Sequence, residues 1–118
     1  MAVLRLSVFL VEDEVLIRMM IIEMIDALGH HVVAEAGTIV EATPLAESAK
    51  FDLAILDINL KGESILPVAQ IIEARRVPIL FASGYRVTGL PEPFHDRPIL
   101  RKPFAVGRLD EVIRGLVR

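Results

Sequence analysis

Asp57 closes the apolar run Phe51-Asp-Leu-Ala-Ile-Leu-Asp57, so a lone carboxylate stands where a buried strand would end. Two other strand-like runs end in complementary chemistry. Leu6-Ser-Val-Phe-Leu-Val11 leads into Glu12-Asp13-Glu14, and Pro98-Ile-Leu-Arg-Lys102 stops at a lysine before Pro103. Val77-Pro-Ile-Leu-Phe-Ala82 ends at the hydroxyl of Ser83. An isolated aspartate is a poor nucleophile, but it accepts a phosphoryl group when cations neutralise the charge between the two anions. Mg²⁺ suits that task. It wants octahedral oxygen ligands and keeps several waters, so a protein need offer only two carboxylates and a carbonyl. Asp13, Asp57 and the main-chain carbonyl of Asn59 are the candidate ligands, with Glu12 acting through a bound water. Lys102 would pair with one phosphate oxygen, and Ser83 would donate a hydrogen bond to another.

These groups meet only if their strands are parallel neighbours, because the carboxyl ends then share one sheet edge. The alternation of strand-like and helical stretches predicts such a sheet: α/β, doubly wound, five parallel strands, helices on both faces. After Glu14, Val15 to Leu28 has the length and composition of a helix, with Gly29 as its C-terminal cap. Ile17, Met20, Ile21, Met24, Ile25 and Leu28 suffice for its core face. Val15, Leu16, Met19 and Ile22 are then an apolar surplus, fit for a partner or for burial under neighbouring loops. His31-Val-Val-Ala-Glu-Ala36 is a strand ended by Gly37.

Thr38 and Glu41 have capping-box spacing, but Pro44 would then lie inside the helix, so a start at Thr43 with Pro44 in the first position is the alternative. Ile58 to Glu63 is expected to be a loop and Ser64 to Arg75 a helix that tolerates Pro67 in its first turn. Gly89, Pro91, Pro93 and Pro98 leave any helix between Gly84 and Pro98 short or broken. Val106, Leu109, Val112, Ile113, Leu116 and Val117 make an amphipathic last helix.

A chain of 118 residues fits one domain, residues 1–118, and 53% hydrophobic content excludes a disordered tail. No cysteine means no disulfide and no thiolate metal site, which suits the cytoplasm. A net charge of −3 without a basic stripe gives no footprint for direct nucleic-acid binding. The apolar N-terminus has no signal-peptide cleavage site after it, and no stretch offers the ~20 apolar residues of a membrane span. His30, His31 and His95 lack metal-ligand spacing and are taken as structural or surface residues.

In order and spacing, Val11-Glu-Asp-Glu14, Leu56-Asp-Ile-Asn-Leu-Lys-Gly62, Ser83 and Lys102-Pro-Phe104 resemble the receiver domain of bacterial two-component response regulators, along the whole chain. The resemblance implies a flavodoxin-like fold and phosphorylation of Asp57 by a sensor histidine kinase or phosphotransfer protein. It implies that Glu12 and Asp13 hold Mg²⁺, that Lys102 and Ser83 read the phosphoryl group, and that a cis peptide precedes Pro103. It places kinase docking at the start of the first helix. Such a receiver is no enzyme beyond its own phosphorylation and dephosphorylation, and it signals to an output protein through contacts; a homodimer is left open.

Two departures bear on how the signal leaves. Receivers usually carry Tyr or Phe three residues before the lysine; here Ile99 stands there. Phe81-Ala-Ser-Gly-Tyr85 instead resembles, with Ser for Thr and one residue fewer, the Phe-Ala-Thr-Gly-x-Tyr signature of the atypical "FAT GUY" subgroup. Tyr85 is therefore the candidate switch, with ordinary partial burial as its alternative reading. The rivals are the receiver of a longer regulator, and a haloacid dehalogenase-like phosphatase. That family needs a second aspartate two residues after the nucleophile, where this chain has Asn59. A dinucleotide-binding module fails for want of Gly-x-Gly-x-x-Gly after the first strand.

Overall fold

The computed structural model describes residues 4–84, 90 and 94–117. Five strands form one sheet: β1 (Ser7–Val11), β2 (His31–Ala36), β3 (Leu53–Asp57), β6 (Ile79–Ser83) and β7 (Ile99–Arg101). Asn59–Leu60 and Glu63–Ser64 form a separate two-stranded hairpin, β4 and β5. The helices are α1 (Val15–Ala27), α2 (Ile39–Ser48), α3 (Leu66–Ala74) and α4 (Val106–Leu116). Sheet order is β2-β1-β3-β6-β7, with every neighbouring pair parallel.

Side chains alternate across a strand, so each buried strand feeds two cores. Val8, Leu10, Leu53 and Ile55 pack with Ile21 and Ile25 of α1 and Leu109 and Ile113 of α4. Phe9, Val11, Ala54 and Leu56 pack with Ala42 and Ala46 of α2 and Val68 and Ile72 of α3. Both faces of the sheet are covered, as the alternation of elements predicts. β2 is an edge strand and accordingly alternates exposed and partly covered residues.

The α1 terminus is a Schellman motif: Gly29 adopts φ +89°, His30 N–H donates to Ile25 O and Gly29 N–H to Asp26 O. Its core face differs from the expected one. Met20 is 51% exposed, whereas Ile22 packs on the core with Ile17, Met24 and Leu28. α1 also contacts β2, and Ile22 shares a core cluster with Val32 of that strand. In α2 the capping box prevails: Thr38 Oγ1 accepts from Glu41 N–H at 3.1 Å, and Glu41 Oε1 accepts from Gly37 N–H at 2.9 Å. Pro44 sits inside this helix, which overturns a start at Thr43. The carbonyl left without a helical N–H is that of Val40, an 83% exposed residue, so water can satisfy it.

Ile58–Glu63, expected to be a loop with a glycine, forms most of the β4–β5 hairpin, which runs on to Ser64. α3 starts at Leu66, two residues later than expected, because Ser64 pairs in β5 and its Oγ accepts from Leu66 N–H at 3.2 Å. The expected short or broken helix between Gly84 and Pro98 falls largely on residues 85–89 and 91–93, outside the described set, as does Tyr85. Leu90 and Phe94 are buried, and the Phe94 ring meets Phe81 edge-on at 5.7 Å. Among the described residues, no helix is long and apolar enough to cross a membrane.

Candidate functional site

β1 and β3 are adjacent in register, Val11 opposite Leu56, so the residues that follow each strand emerge side by side. Asp57 ends β3 and Glu12-Asp13 follow β1. β2 and β3 flank β1 on opposite sides, so the chain reverses its direction of winding there, the place where open α/β sheets hold their sites. β6 lies next to β3 and ends in Ser83, which is buried; β7 lies next to β6 and delivers Lys102 one residue beyond its end. The Lys102–Pro103 peptide is cis. Lys102 N–H donates to Ser83 O at 2.8 Å, so the last backbone contact of the sheet joins two of the candidate residues.

Lys102 Nζ donates to Glu12 Oε1 at 2.7 Å and to Asp57 Oδ2 at 3.1 Å. Glu12 Oε2 accepts from Glu14 N–H at 3.1 Å, and Asp57 Oδ1 from Asn59 N–H at 3.3 Å. Burial disfavours the carboxylate form of Glu12 and pushes its pKa up to about 7 against the lowering effect of Lys102. Burial also raises Asp57, again opposed by the Lys102 ammonium. For Lys102, burial works against the charged form, but its bonds to Glu12 and Asp57 outweigh this and raise its pKa. One ammonium is thus shared among buried acids.

Glu12, Asp13 and Asp57 each offer one oxygen, and these oxygens all lie within 4.8 Å of one another. Three acids against one lysine, all oxygen donors, fit a small hard divalent cation such as Mg²⁺. Asn59, two residues past Asp57, borders the same cavity of about 420 Å³, as do Gly84, Lys102, Met20 and Phe104. Asp13, Asp57, Lys102 and Asn59 therefore line one cavity; Glu12 is buried and bonded to Lys102, and Ser83 is buried at the end of the neighbouring strand β6. Lys61 joins the site through its main chain, which no side-chain pattern in the sequence marks. Its N–H donates to Asp13 Oδ2 at 3.2 Å from the two-residue loop that it forms with Gly62 between β4 and β5. Ile99 is half-buried and pairs with Phe81.

The profile of the response regulator receiver domain matches residues 8–114. The chain belongs to that family. The receiver is 36% identical over 106 residues to the transcriptional regulatory protein PdtaR of Mycobacterium tuberculosis (strain ATCC 25618 / H37Rv), a match that covers 86% of this chain and 52% of PdtaR. It is 34% identical over 114 residues to the phyllosphere-induced regulator PhyR of Methylorubrum extorquens, across 91% of this chain and 42% of PhyR. The chain spans about half the length of the curated relatives it matches. Among solved structures, SdrG from Sphingomonas melonis Fr1 superposes with TM-score 0.85 at 35% identity, covering 100% of both chains. The BeF3-activated conformation of SdrG, from Pseudomonas melonis Fr1, gives 0.79 at 33% identity over 95% of this chain and 96% of that one. Receivers of this family act in two-component signalling.

Proposed function

We propose that this receiver is phosphorylated on Asp57 with Mg²⁺ by a sensor histidine kinase or phosphotransfer protein, and signals to an output protein through contacts. The observation that carries this reading is the Asp57 carboxylate itself, buried at the end of β3, bonded to Lys102 and clustered with Glu12 and Asp13. An Asp57 oxygen forms a bond to phosphorus as the bond from phosphorus to the donor nitrogen breaks, and the electron pair stays on that nitrogen. Asp13, Asp57 and the carbonyl of Asn59 would hold the cation, with Glu12 acting through a water. When bound, Mg²⁺ neutralises the charge that builds up between carboxylate and phosphoryl group.

Lys102, bonded to Glu12 and Asp57 in the unmodified site, exchanges these for a phosphate oxygen, and Ser83 donates to another. The phosphorylating partner docks beside the site, where Val15, Leu16, Met19 and Met20 expose apolar surface at the start of α1. BeF3-activated SdrG, a relative at 33% identity, supports an anionic phosphoryl mimic as the activating group. Tyr85 carries the signal onward in place of the missing aromatic at Ile99. The chain acts on nothing but its own aspartyl phosphate.

The test is to incubate the protein with Mg²⁺ and a small phosphodonor such as acetyl phosphate, then locate added phosphate by mass spectrometry. Label on Asp57 that requires Mg²⁺ is expected. No label, or label elsewhere, overturns the proposal.

A further inference from the structure

Asp13 and Asn59 follow different strands, yet one turn links them. Lys61 and Gly62 are the two-residue loop between β4 and β5, with Asn59 opposite Ser64 and Leu60 opposite Glu63. Their φ values are +49° and +85°, the pattern of a type I′ turn, which demands positive φ at both positions. Gly62 adopts it freely. Lys61 carries a Cβ and takes a conformation uncommon outside Gly, Asn and Asp.

The bonds made by this turn run straight into the acid cluster. Lys61 N–H donates to Asp13 Oδ2, Gly62 N–H donates to Asn59 Oδ1 at 2.9 Å, and Asn59 N–H donates to Asp57 Oδ1. Leu60, 1% exposed, fastens the hairpin to the core beneath. Asp57, Asn59, the turn and Asp13 therefore form one hydrogen-bonded chain around the place where the three carboxylate oxygens converge.

We propose that the Lys61–Gly62 turn is the positioning element for divalent-cation binding, its Lys61 N–H holding the Asp13 carboxylate so that the other oxygen faces the cation. This rests on the reading of the acid cluster as a Mg²⁺ site. A short carboxylate side chain left to itself samples several rotamers, and a fixed donor removes that freedom before the cation arrives. Donors that orient metal ligands in this way typically change affinity by about 10-fold to 100-fold. The function belongs to the main chain. Lys61 lines the same cavity, and the positive charge of its side chain opposes a cation there, so side chain and backbone act with opposite signs.

That opposition makes the idea testable by Mg²⁺ titration of the full chain, followed by amide NMR shifts. Lys61→Gly keeps the N–H, suits positive φ and removes the ammonium, so it should bind Mg²⁺ at least as tightly as the parent. Lys61→Val combined with Gly62→Val also removes the ammonium but places β-branched residues where positive φ is excluded, and should bind about tenfold more weakly than Lys61→Gly. In the parent, the Lys61 amide should exchange slowly with solvent and should lose that protection in Asp13→Ala. If the double variant fails to fold, Gly62→Ala serves instead. Its φ of +85° is strained for alanine while an added Cβ meets nothing within 4 Å, so a severalfold loss of affinity is expected in a folded protein. Equal affinity in the turn-breaking variant and Lys61→Gly, or in Gly62→Ala and the parent, overturns the inference. A parent that binds no Mg²⁺ overturns the acid-cluster reading instead, a distinct result.

Discussion

The ammonium of Lys102 lies 2.7 Å from Glu12 Oε1, across 90 residues of chain, and both side chains are nearly excluded from solvent at 9% and 1% exposure. The same ammonium reaches Asp57 Oδ2 at 3.1 Å. A single ammonium thus holds a buried anionic site together.

Asp57→Asn should abolish phosphorylation and leave the fold intact. The change is nearly isosteric, and the amide oxygen can still accept from Asn59 N–H, which donates to Asp57 Oδ1 in the parent. Lys102 keeps Glu12 as a partner. The unfolding free energy should stay within about 1 kcal/mol of the parent by urea titration. Persistent labelling at the same rate would sink the assignment.

Lys102→Ala should leave Glu12 and Asp57 without their shared cation, and breaking a buried pair typically costs about 3–5 kcal/mol. Mg²⁺ should restore much of this, because a ligand at 100 times its Kd adds about 2.7 kcal/mol to the folded state. Its affinity should match or exceed that of the parent, while spectral changes on phosphorylation should largely vanish. A variant that Mg²⁺ stabilises no more than it does the parent, and that still responds to phosphorylation, would contradict this account.

Stability should carry a signature of His30. This buried ring accepts the Leu6 N–H on Nδ1 at 3.0 Å, and burial lowers its pKa below 6.5. The folded state therefore keeps the neutral ring while the unfolded chain takes up a proton near pH 6.5. Its contribution is complete above that pH and is lost as pH falls below 6.5 toward the lower folded value, with a slope of at most about 1.4 kcal/mol per pH unit. In His30→Gln, which retains an acceptor, the slope should flatten. Comparing urea midpoints of parent and variant at pH 7.5 and 5.5 cancels the carboxylates common to both, and identical slopes would refute the claim.

Two anchors hold the chain that enters β7, and they should differ in weight. Phe94 is 1% exposed against Phe81, so Phe94→Ala should cost about 3–5 kcal/mol. Arg97 donates to both Glu73 oxygens at 2.6 Å, but both side chains are partly wet, so Glu73→Gln should cost at most about 1 kcal/mol. Thermal unfolding that ranks them in the opposite order would show that the ion pair dominates.

Much of this receiver was legible from local sequence. Asp57 at the end of an apolar run, Glu12-Asp13 after another and Lys102 after a third mark strand ends, and strand ends are set by short-range patterns of apolar residues and breakers. Gly29 as a helix cap and Thr38 with Glu41 as a capping box are equally local, since each bond joins residues within a turn or two. Other features needed the third dimension. Met20 is exposed while Ile22 is covered, because the axis of α1 relative to β1 and β2 sets its core face, and periodicity alone leaves that rotation open. Pro44 stays inside α2 because the carbonyl it leaves unpaired belongs to Val40, an exposed residue within reach of water. Lys61 enters the site through a backbone N–H, an atom every residue except proline carries, so its identity gave no sign. Sequence by itself determined which groups stand at the sheet edge; only the parallel register, pairing Val11 with Leu56, Asp57 with Ala82 and Ser83 with Arg101, decided that groups 45 and 90 residues apart come within hydrogen-bonding distance.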